Sequence, residues 1–190
     1  IISGEQEADW AFRGVAATAA LRDVTLLLVD IGGGSTEFIL GRGAHQQLRH
    51  SFRLGTVRLM EAVPHGDPPQ PQELAACRAA VRRFLEQEVD GLLGAALRAQ
   101  PGGVRLVGTG GTTTILARME RRLDNYDRQL IESTLLTRAG LQATTDQLWS
   151  LPLAGRRHLP GLPANRADVI LTGAVIAEAI LDHFQFEEWR

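Results

Sequence analysis

The sequence predicts a mixed α/β domain, and three observations carry that expectation. Apolar runs of strand length sit near the amino end. Helical spacing of apolar residues dominates the rest, and two glycine-rich loops interrupt the pattern. With 190 residues and 44% hydrophobic content, the chain has enough apolar side chain for a real core.

The elements follow in order. The opening "IISG" reads as the end of a strand. Val24 to Val29 are continuously apolar, as in a strand buried on both faces, and Thr36 to Leu40 form a second short run after the glycines. Gln46 to Leu54 alternates loosely and predicts a third strand, the set being antiparallel neighbours. After the proline-rich "HGDPPQPQ", Leu74, Cys77, Val81, Leu85, Val89, Leu92, Leu93 and Ala96 recur every three or four residues. One amphipathic helix over Glu73 to Leu97 is expected, ended by "PGG". Val104 to Val107 is a short strand, and "GTGGTTTILARM" turns into a helix. Thr137 caps a helix through Thr145, a short helix follows Pro152, and an apolar helix runs from about Arg166 to His183. Arg166 and Asp168 are expected to cap that last helix and pair across an interface. Trp10, Trp149 and Trp189 read as packing residues, and "FQFEEW" as a segment that frays or meets a further part of the protein.

Composition narrows the function. A net charge of -2 and a pI near 6.2 give no broad basic field, which argues against nucleic acid or an anionic membrane surface as the main partner. No run reaches the roughly 18 apolar residues of a membrane span. The expectation is a soluble, cytoplasmic protein. The single cysteine, Cys77, excludes a disulfide framework and reads as a small apolar filler. The five histidines are scattered without a ligand-like pair, so no metal is assigned to them. A start without methionine suggests a piece of a longer chain.

The loops carry the chemistry. Consecutive glycines lose much backbone freedom on folding, and they offset that cost where bare N–H groups must approach an anion. Gly32, Gly33, Gly34 and Ser35 lead from strand to strand, so neither the GxxxxGK[ST] nor the GxGxxG pattern applies, since both enter a helix. Asp30 ends the first strand and Glu37 lies three residues past Gly34. Carboxylates beside a phosphate need a cation between them, and Mg²⁺ is held by one or two carboxylates plus phosphate oxygens, which makes Asp30 and Glu37 metal-ligand candidates. The alternative is a tight hairpin capped by its aspartate. In the second loop Gly110, Gly111 and Thr112 present N–H groups at a positive helix end. Two such loops in one domain favour a phosphate-clamping cleft over two structural turns. Arg53 and Arg58 lie near the loops and read as solvated surface residues.

Taken together, "IISGEQEADWAFRGV", "LLVDIGGGSTEFI", "SFRLGTVRLME", "LVGTGGTTTILARM", "NYDRQLIESTLLT" and "LPGLPANRADVILTGAVI" resemble the exopolyphosphatase / guanosine pentaphosphate phosphohydrolase family of the actin-like ATPase superfamily. The resemblance implies an actin-like, ribonuclease H-like α/β fold: a mixed sheet with antiparallel strands first, flanked by helices. It implies two such domains facing a cleft, Mg²⁺, and release of terminal phosphate from polyphosphate or pppGpp. The glutamate of its ISGxxEA motif, the catalytic base, falls on Glu7. Two departures stand out. Asp9 and Trp10 follow where the family has arginine, and the first phosphate loop, a DxGSNS-like segment, is absent. The chain therefore resembles the second actin-like domain alone, which should bind phosphate poorly and hydrolyse it slowly or not at all. Its implied partners are the missing N-terminal domain, the phosphate substrate and a possible homodimer mate. Other readings stay open: a non-hydrolytic polyphosphate or nucleotide sensor, or half of an actin-like ATPase or sugar kinase whose GTGG loop contacts adenosine.

Overall fold

A computed structural model describes residues 4–18, 21–100 and 102–190, with residues 4–8 described in backbone only. Helix α1 (Gly4–Ala16) comes first, so the expected strand end at "IISG" becomes a helix from Gly4 onward, Ile1 to Ser3 lying outside the described residues. Three strands follow: β1 (Thr25–Ile31), β2 (Thr36–Arg42) and β3 (His45–Phe52). They pair as successive antiparallel neighbours, as the apolar runs predicted. Helix α2 (Thr56–Ala62) then leads to the proline-rich loop.

The predicted long helix is continuous from Pro71 to Arg98 but changes its winding: α3 (Pro71–Phe84), a π-helical stretch (Leu85–Gly94) and α4 (Ala95–Arg98). Its start has a physical cause. Pro71 occupies the first turn, where a missing N–H costs nothing, and Glu73 Oε2 accepts from the Gln70 amide at 2.6 Å. Cys77, Val81, Leu85, Val89 and Leu93 form its buried stripe. Burial pushes the Cys77 thiol up to about 12. Cys77 is therefore expected to stay inert to a thiol-specific chromogenic reagent at pH 8 and to react at once when urea unfolds the chain; prompt native-state labelling would contradict its packing.

Strand β4 (Arg105–Thr109) lies parallel to β1 and gives the sheet order β3-β2-β1-β4. Helix α5 (Gly110–Arg121) rises directly from it. Next come α6 (Arg128–Glu132), a two-residue strand β5 (Leu136–Thr137), α7 (Arg138–Ser150) and α8 (Leu153–Arg156). Thr137 caps α7 as expected, its hydroxyl accepting from the Gly140 amide at 3.2 Å. The last helix, α9 (Ile170–His183), starts four residues later than Arg166, which belongs to a 3-10 turn. Asp168 does not cap it in the usual way: its Oδ1 accepts from the adjacent Val169 amide at 2.8 Å. "FQFEEW" neither frays nor hangs free. Its β6 (Glu188–Trp189) pairs with β5, and the Arg190 amide donates to Leu106 O at the edge of β4.

Strand periodicity divides the core between two faces of the sheet. Leu27, Val29, Ile31, Phe38 and Leu40 join the buried side chains of α3, α5 and α9 in the larger cluster. Leu26, Leu28, Ile39 and Val107 meet Phe12 and Ala16 of α1 on the other face. Trp149 and Trp189 pack inside this structure, each indole donating to a backbone carbonyl of α9 at 3.2 Å. Trp10 is the exception, since it is 62% exposed and packs against no core. Among the described residues no helix is long and apolar enough to cross a membrane.

Candidate phosphate-binding site

Asp30 and Glu37 are directly opposed across β1 and β2. Opposed residues share a face, with Cβ atoms about 4.5–5.5 Å apart. The two carboxylates therefore stand side by side at the end of the sheet that carries both glycine loops. Glu37 Oε1 accepts from Ser35 Oγ at 2.6 Å and from Ser51 Oγ at 2.7 Å, which fixes the carboxylate and commits the Ser35 hydroxyl to it. What Ser35 can offer an anion is thus its backbone amide.

The Gly32–Ser35 loop is held from behind by α2. Gly32 N donates to Ser35 O at 2.9 Å and closes the turn. The Thr56 amide donates to Gly32 O at 2.9 Å, and the amides of Val57 and Arg58 donate to Gly33 O at 2.9 and 3.1 Å. Arg58 Nε donates to Gly34 O at 3.0 Å. In a trans peptide the N–H points opposite to the preceding carbonyl, so the amides of Gly33, Gly34 and Ser35 are turned away from α2. Space for that contact requires Gly55, where an added Cβ would lie 2.4 Å from Gly33 O. None of the three loop glycines adopts a positive φ. Their use here is bareness rather than left-handed backbone.

The second loop does use the left-handed region. Gly110 has φ 78, and a Cβ built there would sit 2.1 Å from Asp30 Oδ1. Asp30 and Thr109 are register neighbours on parallel β1 and β4, so the two loops emerge from adjacent strand ends. The Thr112 hydroxyl donates to Ile31 O at 2.7 Å, which ties the loops together and leaves Thr112 only its amide for a ligand. Beneath both lies α9. Thr172 Oγ1 donates to Thr56 O at 2.7 Å, and a Cβ on Gly173 would meet Thr112 Cγ2 at 2.7 Å and Thr56 Cγ2 at 3.2 Å.

The structure thus brings Asp30, Glu37, Gly32 to Ser35 and Gly110 to Thr112 to one place. Glu7 falls in α1, and its side chain lies outside the described residues. Asp9, two residues on, pairs with Arg13 at 2.8 Å and accepts from Gln46 Nε2 at 2.9 Å, near the β2–β3 turn. No group of three or more acidic, histidine or cysteine side chains able to hold a metal occurs among the described residues. Two adjacent carboxylates beside bare amides suit Mg²⁺ bound jointly with phosphate, since that ion keeps few protein ligands.

Arg58 is the residue that sequence reasoning left on the surface. Its guanidinium is exposed, yet Nε buttresses the loop through the Gly34 carbonyl 24 residues earlier, a partner no local pattern in the sequence marks. Arg58→Ala is expected to leave global stability within about 1 kcal/mol, as for one solvent-exposed hydrogen bond, and to weaken tripolyphosphate binding several-fold in calorimetric titration. Arg58→Lys, which lacks the Nε donor, should not restore it.

Comparison with known proteins follows the same lines. The profile of the Ppx/GppA phosphatase family matches residues 1–190. Exopolyphosphatase 2 of Mycobacterium tuberculosis is 33% identical over 183 residues, covering 95% of this chain and 54% of that protein. The guanosine-5'-triphosphate,3'-diphosphate pyrophosphatase of Aeromonas salmonicida is 28% identical over 187 residues, covering 98% of this chain and 35% of that one. The Aquifex aeolicus Ppx/GppA enzyme superimposes with a TM-score of 0.83 at 28% identity, over 99% of this chain and 59% of its own. An exopolyphosphatase from Cytophaga hutchinsonii gives 0.78 at 27% identity, over 99% and 59%. The chain spans about half the length of the first curated relatives it matches, at 54%.

Proposed function

Since the chain belongs to the Ppx/GppA phosphatase family, we propose that it forms one wall of a phosphohydrolase that releases terminal phosphate from inorganic polyphosphate or from pppGpp. The observation that supports this most is the convergence of the two glycine loops on Asp30 at adjacent ends of β1 and β4. The opposing wall is the family's other actin-like domain, in the part of the whole protein outside these 190 residues.

The amides of Gly33, Gly34, Ser35, Gly111 and Thr112 orient the terminal phosphate and hold its charge in fixed dipoles. Asp30 and Glu37 would hold Mg²⁺, which when bound neutralises phosphate oxygens. Glu7 takes the proton of a water whose oxygen forms the new bond to phosphorus, while the bridging P–O bond breaks and the leaving phosphate keeps its electron pair. Positioning and charge supply most of the acceleration in such reactions, so the isolated wall should be a weak binder and a poor catalyst.

The test is phosphate release by the whole protein and its Glu7→Ala variant. The expected loss is about 10²–10⁴-fold, the range for a general base. Equal rates would remove Glu7 from the mechanism. Tight tripolyphosphate binding without turnover in the unaltered whole protein would favour a sensor instead.

A further inference from the structure

Across β3, β2 and β1, Ser51, Glu37 and Asp30 are register partners, so their side chains form one row on one face of the sheet. Ser51 opens the stretch "SFRLGTVRLME" and belongs to neither glycine loop. Its Oγ donates to Glu37 Oε1 at 2.7 Å from the β3 side, and Ser35 Oγ donates to the same oxygen at 2.6 Å from the loop. Both distances are short, as expected for hydroxyls bonded to an ionised carboxylate.

The two bonds fall on one atom. A carboxylate offers about four lone-pair sites, two on each oxygen, so two donors fill Oε1. Among the described residues none donates to Oε2. Glu37 therefore has a single oxygen to give an ion. Mg²⁺ accepts that arrangement, because it takes near-ideal octahedral geometry and combines one or two carboxylates with waters and phosphate oxygens. Ca²⁺ is disfavoured by it. That ion gathers about 6–8 oxygens at longer range, and carboxylates bound through both oxygens help to fill its larger shell.

Ser51 is the member of the pair that can be changed cleanly. Ser35 lies in the loop whose amides face the phosphate, whereas Ser51 is exposed on the edge strand β3 and its hydroxyl is bonded to Glu37. Resting on the placement of Mg²⁺ at Asp30 and Glu37 in the phosphohydrolase reading above, we propose that Ser51 is a positioning residue that sets the choice of ion. By occupying Oε1 together with Ser35, it keeps Glu37 monodentate and favours Mg²⁺ over Ca²⁺.

The test follows Mn²⁺ binding to the whole protein, with millimolar inorganic phosphate present, by loss of the free-ion paramagnetic resonance signal. Mg²⁺ and Ca²⁺ are titrated in as competitors, and Asp30→Asn, which should abolish the competed signal, identifies the site. Ser51→Ala should lower Mg²⁺ affinity about tenfold, the low end for removing a hydrogen-bond partner of a metal ligand. Ca²⁺ affinity should stay unchanged or rise, so the ratio of the two falls by about the same factor. Ser51→Thr, which keeps the hydroxyl, should hold the parent ratio. Both ions are read on the same sample, so any loss of folded protein changes the amount bound and not the ratio.

An unchanged ratio in Ser51→Ala, an equal fall in both affinities, or a Ser51→Thr ratio like that of alanine would overturn the proposal and leave the phosphohydrolase reading standing. A parent protein with no Mn²⁺ site sensitive to Asp30→Asn would sink the proposal together with the Mg²⁺ assignment. Phosphate release by that same protein then decides whether the phosphohydrolase reading survives without it.

Discussion

Gly110→Ala is expected to lower the stability of the chain by about 2–4 kcal/mol and to remove measurable tripolyphosphate binding. Two costs add at this position. The backbone sits at φ 78, where a side chain is strained, and the new methyl would lie 2.1 Å from Asp30 Oδ1. Either Asp30 moves or the start of α5 does, and both belong to the site. Gly111→Ala is the control, because an added Cβ there meets nothing within 4 Å and its φ is not positive. That variant should stay within about 0.5 kcal/mol of the parent in urea denaturation. Equal midpoints for the Gly110 variant and the parent would show that the second loop is not seated against Asp30.

Asp30→Asn in the whole protein is expected to lower phosphate release by about 10²-fold or more and to raise the Mg²⁺ concentration needed for half-maximal rate. The substitution keeps size and removes charge at the carboxylate that both loops surround. Glu37→Gln should be milder, since its carbonyl oxygen can still accept from Ser35 and Ser51. Measuring rate against Mg²⁺ separates the two effects. Unchanged Mg²⁺ dependence in the Asp30→Asn variant would place the ion elsewhere.

Much of this arrangement was legible in the sequence because it rests on local patterns. Apolar runs marked β1 and β2, spacing of three and four marked the long helix, and glycine clusters marked both loops. What escaped depends on partners distant in the chain. The seven-residue α2 has no side-chain cap, and its start is defined by carbonyls of Gly32 and Gly33 more than twenty residues earlier. The five-residue α6 did carry a signal, Asp127 accepting from the Leu130 amide at 3.0 Å, but its length falls below what periodicity can resolve. The π-helical stretch changes the hydrogen-bond register while the buried positions Leu85, Val89 and Leu93 keep their spacing, so the apolar stripe gave no warning. Trp10 misled because a large aromatic ring reads as a packing residue, and burial is decided by which neighbours arrive.

The contact of Thr172 and Gly173 with both α2 and α5 has a mechanical meaning. One helix bears on the rear of each glycine bend, so the gap between them is set by packing within this chain. A ligand seated between such pre-set bends gives up its own freedom while the receptor has little left to lose.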